Sequence, residues 1–206
     1  MLNVYLLRHG QTQWNADGNR YCGRTDIPLT KTGMGQAEFV RKQLADVSLD
    51  GIYSSPLERA YQTAEVAGGD KPVITDARLI EADFGNWEGK TREQFIRADA
   101  SLWEAWNEDP SRVRAGGSGE TGMEVVTRVD AFFNEVLRKH VGVNILVVGH
   151  NGINRLYLAY KLGMPLRHYR RIVQDNSSVT LFTLHDTGEI TLKLLNSRAK
   201  QANDLH

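Results

Sequence analysis

The sequence predicts an α/β fold: a mainly parallel central sheet flanked by helices on both faces, with a small helical cap insertion. Three observations carry that prediction. Short β-branched runs alternate with longer amphipathic ones, the pattern of strands and crossover helices in a sheet covered on both sides. The run Ile145-Leu146-Val147-Val148 is apolar without alternation, as a strand buried on both faces should be, and is expected at the sheet centre. Two apolar runs, Leu6-Leu7-Arg8-His9-Gly10 and Val147-Val148-Gly149-His150, deliver a histidine where a strand ends. In open parallel sheets, ligands bind just beyond those carboxyl ends.

Taken in order, strands are expected at Val4 to Leu7, Gly51 to Tyr53, Val73 to Thr75, Asn144 to Val148 and Ser178 to Leu184, with Ile190 to Leu195 as a final edge. Thr30 caps a helix whose Ala37, Val40 and Leu44 recur at spacings of three and four up to Asp46. Ser55-Pro56 puts proline at the first turn of a second helix, which runs through Ala60 and Ala64 and is stopped by Gly68-Gly69. The segment Thr91 to Pro110 reads as helical, and Thr121 to His140 is the clearest helix, with Val125, Val129, Phe132, Phe133 and Val136 on one face. Phe84 to Gly122 reads as a cap joined back to the core through Ala115-Gly116-Gly117-Ser118-Gly119; a mobile lid and a packed surface subdomain are both compatible with that loop.

Composition limits the partners. A chain of 206 residues forms one domain with a small insertion, and size scaling buries about 70% of its unfolded surface. Twenty-five basic and twenty-five acidic residues cancel, which removes the long-range field that nucleic acid or an anionic membrane would require. The single cysteine, Cys22, closes no intramolecular disulfide, and no Cys and His cluster has zinc-site spacing, so no metal is expected. No apolar run approaches the roughly 20 residues that cross a bilayer, and Leu2 to Leu7 is too short for a signal-peptide core. A cytoplasmic protein is the expectation. Oligomeric state is left open, a homodimer included.

The chemistry is concentrated at the two strand ends. Arg8 and His9 emerge after one strand and His150 after another, with Gly10 and Gly149 permitting tight turns. Arg59, near the start of the helix after Ser54-Ser55-Pro56-Leu57-Glu58, adds a second guanidinium. Arginine forks match phosphate oxygens and keep their charge, so a small phosphate monoester is the natural ligand. Glu81, Asp83 and Glu88 are competing acids on one loop, and spacing does not separate them. Trp103 and Trp106 suit packing better than stacking on a substrate. Arg112 and Arg114 are candidates for a second anionic group, although solvated surface arginines are commoner. His140, His168, His185 and His206 lack a comparable setting, and the Cys22 thiol has no activating partner.

Several segments together resemble the histidine phosphatase superfamily, in the branch of cofactor-dependent phosphoglycerate mutases and related small-molecule phosphatases. They are Leu7-Arg8-His9-Gly10-Gln11-Thr12, Trp14-Asn15, Gly23-Arg24-Thr25-Asp26-Ile27-Pro28-Leu29-Thr30, Ser54 to Ala60, Leu79 to Gly89 and Val148-Gly149-His150, in family order across roughly Asn3 to Leu184. The resemblance implies a phosphoglycerate mutase-like fold and a metal-independent phosphomonoesterase without a cofactor. His9 would take the phosphoryl group and Glu81 would be the general acid and base. Arg8, Arg59 and a protonated His150 would stabilise the phosphoryl charge. Asn15, Gln11, Cys22, Gly23 and Asn151 would border the substrate.

Two departures favour hydrolysis over mutase chemistry. The segment after the acid, Asp83-Phe84-Gly85-Asn86-Trp87-Glu88-Gly89, lacks the mutases' His-Tyr-Gly pattern, and the 68 residues between Glu81 and His150 leave a shorter insertion than theirs. The loop also separates Gly116-Gly117 from Glu120-Thr121, unlike the family's Gly-Gly-Glu-Ser, which leaves substrate contacts there undefined. A cofactor-dependent phosphoglycerate mutase is the alternative, and a non-catalytic phosphate-binding or interaction module the remote one.

Overall fold

The computed structural model describes residues 1–198, so His206 lies outside the described residues. Six strands, β1 (Leu2–Arg8), β2 (Gly51–Ser54), β3 (Val73–Thr75), β4 (Asn144–Gly149), β5 (Val179–Leu184) and β6 (Ile190–Ser197), form one sheet in the order β3-β2-β4-β1-β5-β6. The first four are mutually parallel, while β5 pairs antiparallel with β1 and β6 antiparallel with β5. The apolar run at 145–148 lies in β4, beside β1 at the middle of the sheet. Among the described residues, no helix is long and apolar enough to cross a membrane.

Side chains alternate along the two central strands, so each strand feeds two hydrophobic layers. Val4, Leu6, Ile145 and Val147 pack into one cluster with helices α6 (Gly122–Lys139) and α7 (Asn151–Lys161). Leu7, Leu146 and Val148 enter the other, against Val40 of α2 (Lys31–Gln43) and Ala60 and Ala64 of α3 (Glu58–Gly68). The small alanines of α3 let that helix lie close to the sheet. Helices therefore cover both faces, and only the strand ends remain for a site.

Two local expectations need correction, and one short helix was not anticipated. Pro56 does not occupy the first turn of α3: the helix begins at Glu58 with Leu57 at its N-cap, and Pro56 lies in the bend before it. The single helical pattern of 91–110 is two helices, α4 (Arg92–Ala98) and α5 (Ala100–Glu108), broken at Asp99. There the backbone is extended at φ −156°, and the Asp99 carboxylate accepts from the Leu102 N–H at 3.0 Å. A four-residue helix, α1 (Gln13–Ala16), carries no apolar face and escapes periodicity; its signal is the reciprocal Thr12–Asn15 cap.

Four of the five aromatic side chains between residues 84 and 122, Phe84, Trp87, Phe95 and Trp106, are internal, and Trp103 is half-buried against them. Trp87, Phe95 and Trp106 share the hydrophobic cluster of α6 and α7, and Trp87 stacks on Phe95 with ring centroids 4.7 Å apart. The glycine loop is clamped: a Cβ at Gly116 would stand 2.2 Å from the Phe84 carbonyl oxygen, and its φ of +56° suits glycine.

Candidate active site

The parallel pairing of β1 with β4 sets Leu7 beside Val148 and Arg8 beside Gly149. His9 and His150 therefore leave the sheet as neighbours, with ring centroids 5.1 Å apart. The His9 amide donates to the Gly149 carbonyl at 3.1 Å, which carries the pairing one residue beyond the strand. Gly10 then turns against α2, and a Cβ there would stand 2.6 Å from the Gly33 carbonyl oxygen. The residue is glycine because two backbones meet.

His9 has one assigned nitrogen. Its Nδ1 lies 2.7 Å from the Gly10 carbonyl oxygen, which only accepts, so Nδ1 carries the proton and the lone pair is left on Nε2. His150 is fully buried, and neither of its ring nitrogens has a hydrogen-bond partner among the described residues. Arg8 is anchored by Nη1 donating to the Gln174 carbonyl at 3.0 Å. Asn176 donates to the His9 carbonyl at 3.0 Å, and the Ser177 amide to that of Arg8 at 3.0 Å. The 174–177 turn thus clasps the Arg-His segment, a role the sequence reading missed.

Arg59 is completely buried at the start of α3. Its guanidinium donates to the carbonyls of Thr25 at 2.9 Å, Gly23 at 2.7 Å and Cys22 at 3.3 Å. The Nε atoms of Arg59 and Arg8 have no acceptor among the described residues. Buried donors without partners are rare, and an anion seated among these groups would supply the oxygens they lack.

The three acids separate cleanly. Glu88 accepts from the Gly23 N–H at 3.0 and 2.9 Å and from the Thr25 N–H at 3.1 Å, holding the loop whose carbonyls fix Arg59. Asp83 accepts from the Gly85 N–H at 2.8 Å and closes a turn. Glu81 is buried at the N-terminus of α7, where Oε2 accepts from the Gly152 N–H at 2.9 Å and Oε1 from Ile153 at 3.1 Å and Ala82 at 2.8 Å. Of the three, Glu81 alone lines the cavity beside His9.

That cavity, about 460 Å³, opens at the strand ends and is lined by Arg8, His9, Asn15, Cys22, Glu81 and Asn151 among the expected residues. His150 and Arg59 lie buried behind it. Gln11 and Gly23 do not line it: the Gln11 side chain accepts from the Thr30 hydroxyl at 3.0 Å, and the Gly23 amide and carbonyl are committed to Glu88 and Arg59. Arg112 and Arg114 are not on its walls either. Arg112 sits near Asp109 at the surface, and Arg114 pairs with Glu124 at 2.9 Å. The sequence reading missed Arg20, Tyr21, Arg92, Arg155, Tyr169 and Arg170, which also line the walls. Among the described residues, no three His, Cys, Asp or Glu side chains converge as a metal centre requires.

Burial dominates the ionisation of the site. It raises the Glu81 carboxyl above the ordinary carboxylate range, against three backbone N–H donors and the Arg59 charge that pull it down. Burial, with Arg59 and Arg8 adding to it, holds the His9 ring well below the usual imidazole value. Burial, with Arg59 and His9 adding to it, likewise holds His150 well below the usual imidazole value, which favours the neutral ring; the protonated ring expected from the sequence requires an anion to offset the arginines. Burial lifts the Cys22 thiol to about 11 and lowers Arg8 to about 10.

Two neutral buried histidines give the fold a defined acid response. Below about pH 6.5, the unfolded chain binds protons at positions 9 and 150 that the folded chain refuses, so stability falls as pH decreases through that range. Urea melts between pH 7.5 and 5 are expected to show this slope, and His150→Gln to flatten it; an unchanged slope would contradict a neutral His150.

Comparison with known proteins agrees with the geometry. Residues 4–198 match the model of the histidine phosphatase superfamily (branch 1). The chain is 34% identical over 196 residues to phosphoserine phosphatase 1 of Hydrogenobacter thermophilus, covering 94% of this chain and 92% of that one. It is 33% identical over 201 residues to the adenosylcobalamin/alpha-ribazole phosphatase of Escherichia coli, covering 96% and 97%. The crystal structure of phosphoserine phosphatase from Entamoeba histolytica in complex with 3-phosphoglyceric acid superposes with a TM-score of 0.86 at 29% identity, covering 96% and 98%. The chain belongs to the histidine phosphatase superfamily. Within it, the chain stands beside small-molecule phosphatases, a likeness that supports a hydrolase acting on phosphate esters.

Proposed function

We propose that the protein is a metal-independent phosphomonoesterase for a small phosphorylated metabolite, working through a phosphohistidine on His9. The observation that carries this reading is a neutral imidazole, its Nε2 lone pair freed by the Nδ1 bond to Gly10, set among the buried cations Arg8 and Arg59. Nε2 attacks phosphorus while the ester P–O bond breaks, and the proton on the Glu81 carboxyl passes to the departing alkoxide. Oε2 accepts one backbone N–H where Oε1 accepts two, so Oε2 is the oxygen with room for that proton. Water then attacks phosphorus, returns a proton to Glu81, and releases phosphate as the N–P bond breaks.

Arg8 and Arg59 stabilise the equatorial oxygens in place. A bound dianion offsets the arginine field on His150 and favours its protonation, so His150 becomes a third donor only when the pocket is filled. Asn15, Cys22 and Asn151 lie where they border the substrate. Segment 84–122 is read as a cap that forms a fixed wall: Phe84, Arg92 and Glu93 face the cavity while Trp87 and Trp106 are held in the core.

The test is release of free phosphate from a panel of sugar, polyol and amino-acid monophosphates in excess chelator. Phosphate release is expected without added metal. With 3-phosphoglycerate, rapid conversion to the 2-phospho isomer on adding 2,3-bisphosphoglycerate, with negligible phosphate release, would establish the mutase alternative instead.

A further inference from the structure

We propose that Glu120 and Arg128 are positioning residues for the general acid: one ion pair at the start of α6 fixes the chain on both sides of Glu81 and so sets where its carboxyl meets the leaving group. This rests on reading Glu81 as the proton donor to that group.

Glu81 stands on irregular chain. Residues 80–84 belong to no helix or strand, so no ladder of backbone bonds fixes them. Two side chains at the N-terminal end of α6 supply bonds instead. Before the acid, Arg128 Nη1 donates to the carbonyls of Arg78 and Ile80, each at 2.7 Å. After it, the Asp83 N–H donates to Glu120 Oε2 at 3.0 Å, and the Glu120 N–H donates to the Asp83 carbonyl at 2.9 Å. The two side chains are joined fork to fork, Arg128 Nε to Oε1 at 2.9 Å and Nη2 to Oε2 at 3.0 Å. Arg24 adds a longer contact to the same carboxylate at 3.3 Å.

A bidentate guanidinium–carboxylate pair fixes direction as well as distance. With side chains only 17% and 16% exposed, this one is screened less than a surface ion pair. Its support is rigid: Glu120 directly precedes the N-cap Thr121, and Arg128 lies in the second turn of α6. Neither side chain lines the cavity, so both act through Glu81. The α7 amides of Gly152 and Ile153 hold the carboxyl group, and the ion pair holds the backbone that delivers it. A reacting group displaced by about 1 Å can lose about 10²-fold in rate. Burial, ahead of the charges of Arg59, His9 and Arg128, also lowers the His150 ring. That influence is common to every ester, whereas the need for a placed proton depends on the leaving group.

The experiment is single-turnover cleavage, with enzyme in excess, of phenyl phosphate, whose leaving oxygen needs a proton, and of 2,4-dinitrophenyl phosphate, whose phenolate departs unaided. Both esters are cleaved by one preparation of each variant, so the ratio of rates does not depend on the folded fraction. Arg128→Gln is expected to slow the phenyl ester by about 10- to 10²-fold and the dinitrophenyl ester by about threefold or less. Arg128→Lys keeps the charge without the fork, and Glu120→Gln keeps the size and one acceptor; both are expected to skew the ratio in the same direction, and they carry the comparison if Arg128→Gln does not fold. Added to Glu81→Gln, the Glu120→Gln change is expected to cost about twofold or less on the phenyl ester, because no proton is left to place. Equal slowing of both esters, or a penalty that multiplies with that of Glu81→Gln, would overturn the positioning role and leave the general acid standing. If Glu81→Gln itself slows both esters equally, the general-acid reading and this inference fall together.

Discussion

His9→Ala is expected to lower kcat for a generic aryl phosphate by roughly 10³-fold or more, the scale on which loss of a nucleophile is read. The substitution removes the Nε2 lone pair whose direction the Nδ1 contact with Gly10 fixes, while Arg8, Arg59 and His150 remain to bind phosphate. KM should therefore change far less than kcat. Rapid acid-free quenching of the parent with labelled substrate is expected to trap label on protein as an acid-labile, alkali-stable adduct, absent from the variant. Equal turnover in both proteins, or label that persists in the variant, would remove His9 from the mechanism.

Glu81→Gln is expected to cost about 10²- to 10⁴-fold on an alkyl phosphate, the usual range for a general acid or base. The amide preserves the size of the group and an acceptor oxygen for α7, but it cannot hand over a proton. Loss should depend on the leaving group: a dinitrophenyl phosphate, whose phenolate departs unaided, is expected to lose much less in the first chemical step. Burial also fixes the direction of the pH dependence. Glu81 must be protonated and His9 neutral, and burial raises the first while lowering the second. The alkaline limb of kcat/KM is therefore expected above the ordinary carboxylate value and the acid limb below the ordinary imidazole value. A Glu81→Gln penalty independent of leaving group would assign the side chain to packing.

The central sheet was legible because β1 and β4 are apolar runs that end abruptly in Arg8-His9 and Gly149-His150, and parallel pairing of such runs brings their ends together. The meeting of Arg8, His9 and His150 followed from the same feature. Glu81 did not, since Asp83 and Glu88 carry the same chemistry within eight residues; only the path of the chain shows that the other two bond turn and loop amides. The cavity walls were less legible still. Arg155 and Arg170 belong to α7 and the turn after it, where isolated arginines look like solvated surface, and Tyr169 unites them only in three dimensions. Arg112 and Arg114 stand near the glycine loop, yet Asp109 and Glu124 engage them at the surface.

Glu88 gives the molecule an unexpected mechanical linkage. It belongs to the 84–122 segment but grips residues 23 and 25, whose carbonyl oxygens orient Arg59. Transplanting that segment from a relative to alter selectivity would disturb the anion-binding cradle unless residues 22–25 travelled with it. The two stretches form one exchangeable module, and a chimera that divides them should lose affinity for inorganic phosphate before its choice of organic group changes.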